Sequence, residues 1–470
     1  MGTIATFEIG QIGPRLDRLP VSGFHFRVIG LIGAGLFLDA FDLYLGGGVL
    51  GALLHSGWST MALNSGFITA TFLGMVIGAF FSGVLGDRYG RRFTFQFNLA
   101  VFGLASLAAV FAPTMGALIA TRFVMGIGLG AEIVISYATV TEFVPARNRG
   151  RWLAVMNIIS TCALPASSLI SYWVIPTLGW RYMFLLVGVL ALIVCLLRKS
   201  MPESPRWLES KGRHAEADLI VRAAEDRAKG RLAPLAEWMP PGATPKASAR
   251  MQDLFARNVI GRLLIGVMLN VVLNLGLFGF LSWLPSFFVR EGMGIGSSLG
   301  FVTLLSLGGP LGVVVVFLLA DRISPRAGII AASLIAAVAG AIYPMAGHGV
   351  WFIVIGLILV GAIYATNTFG FCTHVPELFP TRLRLRGVGV CGTSGRLTTA
   401  LVQYGVVVLF DWGGVAAVVG TLSAIYVLQA AVMAVFGVDT NRRSMEEVSA
   451  GVAAPVSLGG AMPDRHVESG

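Results

Sequence analysis

Five charged side chains stand inside otherwise apolar stretches of this chain: Asp39, Asp42, Arg122, Glu132 and Arg396. Asp39 and Asp42 are three residues apart, so a helix puts both on one face. Two carboxylates on one desolvated face cannot both ionise cheaply, which suits the pair to carrying a proton. Arg122 is a cation able to hold the deprotonated acid, so a swing of that pair can report protonation. A structural salt bridge is the competing reading of the two aspartates. Glu132 reads as a further member of the proton-handling set or as the partner of a neighbouring helix. Arg396 does not titrate usefully, but its planar fork can bind a carboxylate through two parallel bonds. An anionic substrate would offset the cost of burying it.

Uncharged polar residues form a second tier. Asn270 and Asn274 are four apart and share a helical face, and Tyr364 lies three positions before Asn367. These four can hydrogen-bond a substrate or serve as polar glue between helices. His374 can titrate, yet a single histidine near a helix end fits a structural role as well. Cys162, Cys195, Cys372 and Cys391 fall in or at the end of apolar stretches and read as buried neutral thiols, with no disulfide framework and no metal cluster. Gly126-Ile127-Gly128-Leu129-Gly130 imitates part of a dinucleotide fingerprint, but no strand precedes it, and close helix packing explains it better. No P-loop lysine motif and no nucleophile–base spacing is present, so the expectation is no ATP-driven transport, no cofactor, no metal and no enzyme activity.

The elements that must position these residues follow from the apolar runs. The chain has 470 residues, 56% of them hydrophobic and only 12% charged, which is too apolar for a soluble fold. Its 60 glycines follow no three-residue period, which excludes collagen. Twelve stretches are long enough to cross a bilayer: 27–49, 65–86, 94–112, 115–139, 152–175, 181–198, 259–283, 297–320, 327–346, 349–373, 388–410 and 414–437. Backbone groups in lipid must pair internally, and the runs do not alternate apolar with polar, so they are helices and not barrel strands. Residues 1–20 lack an apolar core segment, so no cleaved signal peptide is expected.

Basic residues gather in alternate connections, at Arg15, Arg18 and Arg27, then Arg88, Arg91 and Arg92, then Arg147, Arg149 and Arg151, then Arg322 and Arg326, then Arg382, Arg384 and Arg386. The intervening connections carry one Lys or Arg or none. The positive-inside rule then puts both termini in the cytoplasm of a multi-pass protein of the cell membrane. The same clusters explain the net charge of +10, so nucleic acid is not an expected partner. The expected organisation is a cytoplasmic segment 1–26, a six-helix bundle 27–198, a cytoplasmic central loop 199–256 with an amphipathic helix over 208–229, a second bundle 257–437, and a cytoplasmic tail 438–470. The partners expected are the lipid bilayer, a small-molecule substrate and protons; the oligomeric state is left open, a monomer being sufficient.

The two bundles are related. Asp87-Arg88 recurs as Asp321-Arg322, 234 positions later (321 − 87). Glu142-Phe143-Val144-Pro145-Ala146-Arg147 recurs as Glu377-Leu378-Phe379-Pro380-Thr381-Arg382, 235 positions later (377 − 142). A duplicated unit with an even number of helices gives parallel repeats, with the substrate path between them near the midplane.

Gly83-Val84-Leu85-Gly86-Asp87-Arg88-Tyr89-Gly90-Arg91-Arg92 resembles the signature loop of the major facilitator superfamily, and a weaker form stands at Ala320 to Arg326. Pro202-Glu203-Ser204-Pro205-Arg206-Trp207-Leu208 resembles the motif after the sixth helix of sugar porters and related metabolite:proton symporters. Asp439 to Glu447 resembles the loop after the twelfth helix, although Val438-Asp439 replaces the usual Pro-Glu. Asp39-Ala40-Phe41-Asp42 is similar to the paired-acid motif of the aromatic acid:proton symporters, with Ala40 in place of their usual Gly, and Arg396 resembles the arginine of their eleventh helix. Asp42 and Arg122 also fit sugar porters, whereas Asp39 and Arg396 favour an organic acid. The resemblance implies an all-α fold of twelve helices in two parallel repeats. It also implies a cytoplasmic gate built from Gly83, Asp87, Arg88, Gly90, Arg91, Arg92, Glu142, Arg147, Asp321, Arg322, Glu377 and Arg382. The competing reading of these arginines is that they only set topology; plain topology does not require the acid, the glycines and the repetition.

The expected function is proton-coupled symport of a small organic acid, aromatic by resemblance, by alternating access. A sugar or polyol:proton symporter is the first alternative; Asn270 and Asn274 stand where that family has a glutamine-rich motif. An organic-ion or drug exporter is the second, against which the segment from Asn157 to Trp173 lacks the exporters' glycine–proline pattern. A transport-derived sensor would need a soluble signalling domain, which the chain lacks.

Overall fold

The computed structural model describes residues 12–145, 149–228, 251–257, 259–319, 322–347, 349–379 and 383–437. A short helix α1 (Ile12–Asp17) precedes six long ones: α2 (Gly23–His55), α3 (Met61–Tyr89), α4 (Arg91–Val110), α5 (Met115–Phe143), α6 (Arg149–Leu178) and α7 (Arg181–Arg198). Two short helices, α8 (Pro205–Ser210) and α9 (His214–Arg227), follow. The second half comprises α10 (Ile260–Asn274), α11 (Leu284–Arg290), α12 (Ile295–Ser306), α13 (Gly308–Leu319), α14 (Pro325–Ile342), α15 (Val350–Asn367), α16 (Val375–Glu377) and α17 (Arg384–Phe436). Side-chain caps start several of them, Thr60 on Leu63 N, Thr114 on Ala117 N and Ser324 on Ala327 N, each at 3.3 Å.

Twelve crossings result, although some are composite. α10 and α11 form one crossing joined by a π-turn at Leu275–Phe280 and a 3-10 turn at Leu281–Trp283. α15 continues to α16 through a second π-turn, Thr368–His374. α17 carries both final crossings: helical geometry breaks only at Gly413 and at Gly414, whose φ of 62° only glycine adopts easily. The expected 208–229 helix is instead two, because Gly212 takes a φ of 75° between α8 and α9.

Within the first half, α3 packs against α5 at glycine contacts. A Cβ on Gly74 would strike Phe123 O, one on Gly126 would strike Thr71 O, and one on Gly130 would strike Met75 O. The Gly126–Gly130 segment is thus a close-packing surface. Between the halves, α3 packs on α17, α6 on α12 and α2 on α11.

We call the membrane side carrying α1 and Gly437 the terminal face. Toward the far face the apolar core is continuous across the halves, joining Leu45, Val49 and Leu53 of α2 to Leu284 and Phe287 of α11. At the terminal face it divides. One cluster holds Phe24, Ile32, Phe95, Phe143 and Trp207 of the first half, and a separate one holds Leu254, Leu263, Ile329, Val375 and Met433 of the second. Among the described residues the apolar core joins the halves on the far side and is divided between them on the terminal side.

Candidate functional site

The five interior charges occupy distinct settings. Asp42 and Arg122 form an ion pair at 2.5 Å, with side chains 0% and 2% exposed. Arg122 also donates to Thr71 Oγ1 at 3.2 Å and lies 4.7 Å from the centre of the Phe67 ring, so its charge is fully accommodated. Asp39, one turn toward the terminal face, is equally buried, and neither of its oxygens has a hydrogen-bond partner among the described residues. Glu132 pairs with Arg198 at 2.5 Å, the neighbouring-helix alternative for this residue.

Arg198 is therefore a sixth interior charge that the sequence did not isolate. It ends α7 and reads as a boundary residue, but its side chain runs back into the bundle, where Nε donates to Leu31 O at 2.9 Å and Nη2 to Ile32 O at 3.0 Å. Gly35 makes this possible: a Cβ there would collide with the Arg198 guanidinium and the Glu132 carboxylate.

Arg396, on the first crossing of α17, differs from all of these. It lies deep in the molecule and half-buried, and it makes no hydrogen bond or ion pair with a described residue. Asn367 is also half-buried. Asn270 and Asn274, by contrast, turn into an interhelical seam. Asn274 Nδ2 donates to Asn270 O and Oδ1 at 2.8 and 3.0 Å, and Thr399 Oγ1 donates to Asn274 Oδ1 at 3.2 Å. Gly395 gives the two asparagines room against α17. Trp283 Nε1 extends this seam to Gln403 Oε1 at 2.7 Å.

Tyr364 spans the halves, its hydroxyl donating to Tyr44 Oη at 2.6 Å. The Tyr44 ring stacks on Phe278, which meets Phe72 edge-on at 4.6 Å. Tyr44 and Phe278 carry no charge signal, and sequence reasoning missed them; the glycine-flanked run around Phe278, where a π-turn forms, is the cue that could have found it. Beyond this aromatic layer the halves meet closely. Ser65 and Thr69 donate to Gln403 O and Ala400 O at 3.3 and 2.8 Å, and a void there lined by Tyr44, Gly47, Ser171, Ser282 and Pro285 has room for about one water, 20 Å³.

The cysteine expectation needs correcting. Only Cys391 is buried; Cys162 and Cys372 are exposed and Cys195 is intermediate. Cys372 lies near Tyr137 of the other half, yet keeps open surface. An apolar run does not reveal which of its residues keep open surface, and Cys162 and Cys372 do. His374 is buried.

At the terminal face the signature loop is tied within its own half. Arg91 reaches Glu142 at 2.7 Å and Asp87 at 3.2 Å, and donates to Gly86 O at 2.7 Å. Glu203 accepts from the backbone N–H groups of Arg91 and Arg92 at 2.8 and 3.2 Å, and Trp207 Nε1 donates to Asp87 O at 3.1 Å. Gly90, with φ 95°, passes so near Glu203 and Trp207 that a Cβ would collide. Arg88 is 5.4 Å from the Tyr89 ring centre, Gly83 has open space around it, Arg322 N donates to Leu319 O at 2.9 Å, and Glu377 ends α16. Arg147, Asp321, Arg382 and the tail 438–470 lie outside the described residues. On the same face, Arg15 of α1 grips Asp218 and Glu225 of α9 at 2.6 and 2.7 Å, Arg18 reaches Glu225 at 2.6 Å, and Arg206 reaches Asp17 at 3.1 Å.

Two helical halves whose apolar cores join at one face and divide at the other are the architecture of a membrane transporter of small molecules. The chain belongs to the Major Facilitator Superfamily, whose model matches residues 32–401. The members of that family are transporters and not enzymes. The chain is 36% identical to the inner membrane metabolite transport protein YdjE of Escherichia coli over 94% of this chain and 99% of that one. It is 29% identical to the niacin transporter NiaP of Acinetobacter baylyi over 92% and 98% of the two chains. A partially occluded inward-open structure of the xylose transporter XylE from E. coli superposes with a TM-score of 0.71 at 18% identity, covering 90% and 100%, which places the fold.

Proposed function

We propose that this protein imports a small organic acid, aromatic in type, together with protons, by alternating access across the cell membrane. The observation that carries the proposal is Arg396: a half-buried guanidinium within the first crossing of α17, without an anionic partner among the described residues. Such a charge is costly in a membrane unless a ligand anion completes it. A carboxylate suits its fork. Tyr44, Phe72, Phe278 and Tyr364 supply flat apolar surface of the kind a ring stacks on. NiaP, named for a pyridine carboxylic acid, belongs to the same chemistry. Asn367 and Tyr364 serve as polar contacts for the substrate, while Asn270 and Asn274 brace the helix that carries Arg396.

Proton coupling rests on the first half. The paired Asp42–Arg122 and the unpaired Asp39 are buried carboxyls of two kinds in one bundle, and taking up or losing a proton changes what each can pair with. The terminal face, with its clustered arginines, is cytoplasmic by the positive-inside rule, so the gap opens inward. The loop from Gly83 to Arg92, with Glu142, forms the gate on that face; its ion pairs link helix ends within one half here, and closure requires the second half to approach them.

The full-length chain, reconstituted in liposomes with an acidic exterior, tests the proposal. Radiolabelled nicotinate and benzoate should accumulate above protein-free liposomes, and xylose should not. Accumulation of xylose alone would transfer the chain to the sugar-porter reading. Uptake of the acids that ignores the pH gradient would remove the proton.

A further inference from the structure

The interior of the first half holds three carboxyls and two guanidiniums: Asp39, Asp42, Glu132, Arg122 and Arg198. Arg122 neutralises Asp42 and Arg198 neutralises Glu132, each at 2.5 Å. Asp39 is the odd member, 1% exposed, with both oxygens unpartnered among the described residues. An ionised carboxylate without donors is costly there, and a proton on Asp39 removes that cost.

The five are ordered in depth. Arg122 stands near the far end of α5, and Asp42 pairs with it. Asp39 comes next along α2, one turn nearer the terminal face. One turn further stands Gly35, against which the Arg198 guanidinium and Glu132 carboxylate are packed. Gly35 and Asp39 share a helical face, so the pair lies directly below Asp39. The charged groups acting on Asp39 are Glu132 from α5, Arg198 from α7 and Asp42 from its own helix. Cys195 of α7 adjoins the same pair, and Lys199 beyond the helix end lies near Cys195. Glu132 also has Ser136 near its Oε1, at 3.5 Å, while its Oε2 has no hydrogen-bond partner among the described residues.

We propose that these residues form a proton relay descending the first half, with Arg198 as the cation that changes partners. The O–H bond of Asp39 breaks and an O–H bond forms on Glu132, directly or through one water, while the Arg198 guanidinium leaves Glu132 for Asp39. One neutral acid, one carboxylate and one guanidinium stand before and after, so the three remain neutral in sum. Glu132 then releases the proton toward the terminal-face opening, and the cluster carries one negative charge until Asp39 is reloaded from the side of Asp42. Arg198 acts through the two acids and is a positioning residue. The relay rests on the proton-coupled reading above and adds to it the cation and the order of transfer.

The test is infrared difference spectroscopy of the full-length chain in lipid during pH titration, which needs no substrate. The wild type should show a carboxylic-acid C=O band that titrates and that Asp39→Asn removes. Glu132→Gln should move the midpoint of that band by about one pH unit or more. The double variant Glu132→Gln/Arg198→Met removes both partners of the ion pair; it should restore the thermal stability that either single change costs, yet leave the midpoint displaced. Gly35→Ala, which disturbs the pair without changing charge, should displace it as well. A midpoint unchanged in Glu132→Gln and in the double variant makes the pair a structural brace and overturns the relay. Persistence of the band in Asp39→Asn overturns it too. Wild-type uptake of nicotinate and benzoate that ignores the pH gradient, with the band behaving as described, would fail the coupling reading and spare the relay.

Discussion

Arg122 and Arg396 carry the same charge in opposite situations. Arg122 is neutralised by Asp42, bonded to Thr71 and covered by Phe67, whereas Arg396 has no such company. Removing either therefore has different consequences. Arg396→Ala should raise the half-saturation concentration for a carboxylate substrate by roughly 10- to 100-fold, the equivalent of a charge-assisted bond worth about 1.5–3 kcal/mol. The neutral amide of the same acid should respond little, and an equal effect on both in competition assays would deny Arg396 its carboxylate role. Asp42→Asn leaves Arg122 buried without its counter-charge, at a cost of about 3–5 kcal/mol, and should abolish proton-driven accumulation while some exchange persists. Thermal unfolding of Asp42→Asn/Arg122→Gln should recover most of the lost stability; no recovery would mean that the pair is not the source of the loss.

Between residues and the whole lie the elements, and the α1–α9 contact responds to pH with a definite sign. Burial alone would raise the Asp218 carboxyl, but hydrogen bonds and charge from Arg15 and Arg222 outweigh it and hold it below its ordinary range. Glu225 is held low in the same way, burial being outweighed by Arg15 and Arg18. The Arg15 guanidinium, bonded first to Glu225, is raised correspondingly. Carboxyls depressed in the folded state contribute stability above their unfolded values, near pH 4, and lose it as the pH falls through the lower folded values. Docking of α1 on α9 should thus be intact at pH 7 and weaken below about pH 4, read as increased amide exchange in both helices. Glu225→Lys should undock them at neutral pH; unchanged protection would show that the apolar contacts of Ile12 and Leu16 with Val221 suffice.

At the scale of the molecule, alternating access requires the far-face seam to open. Thr69 and Ala400 face each other across it, Thr69 Oγ1 donating to Ala400 O at 2.8 Å. A disulfide between Thr69→Cys and Ala400→Cys should arrest uptake when oxidised and release it on reduction. Transport that continues through the oxidised form would refute opening at this seam. Cys372, with its open surface, should react with a polar maleimide faster in the stapled protein than in one held closed at the terminal face, with Cys391 unreactive in both.

Much of this architecture is written locally. An apolar run must form a helix because lipid offers its backbone no partners, so the twelve crossings, the duplicated loops around Asp87 and Glu142, and the presence of acids and arginines in α2, α5 and α17 are legible residue by residue. The break at Gly413–Gly414 is legible only as a short connection, since both crossings of α17 are helical up to it. Pairing is different, because it depends on which helix faces lie together. Only the tertiary structure separates Asp42, held by Arg122, from Asp39, which is unpaired among the described residues. It alone returns Arg198 from a helix end to the interior, where Gly35 leaves it space. It turns Asn270 and Asn274 into a seam with Thr399, joins Tyr44 to Tyr364 across the halves, and leaves Arg396 without an anionic partner among the described residues. The cost of placing a charge in an apolar run is a property of the run; what compensates that charge comes from residues distant in sequence, and packing brings them together.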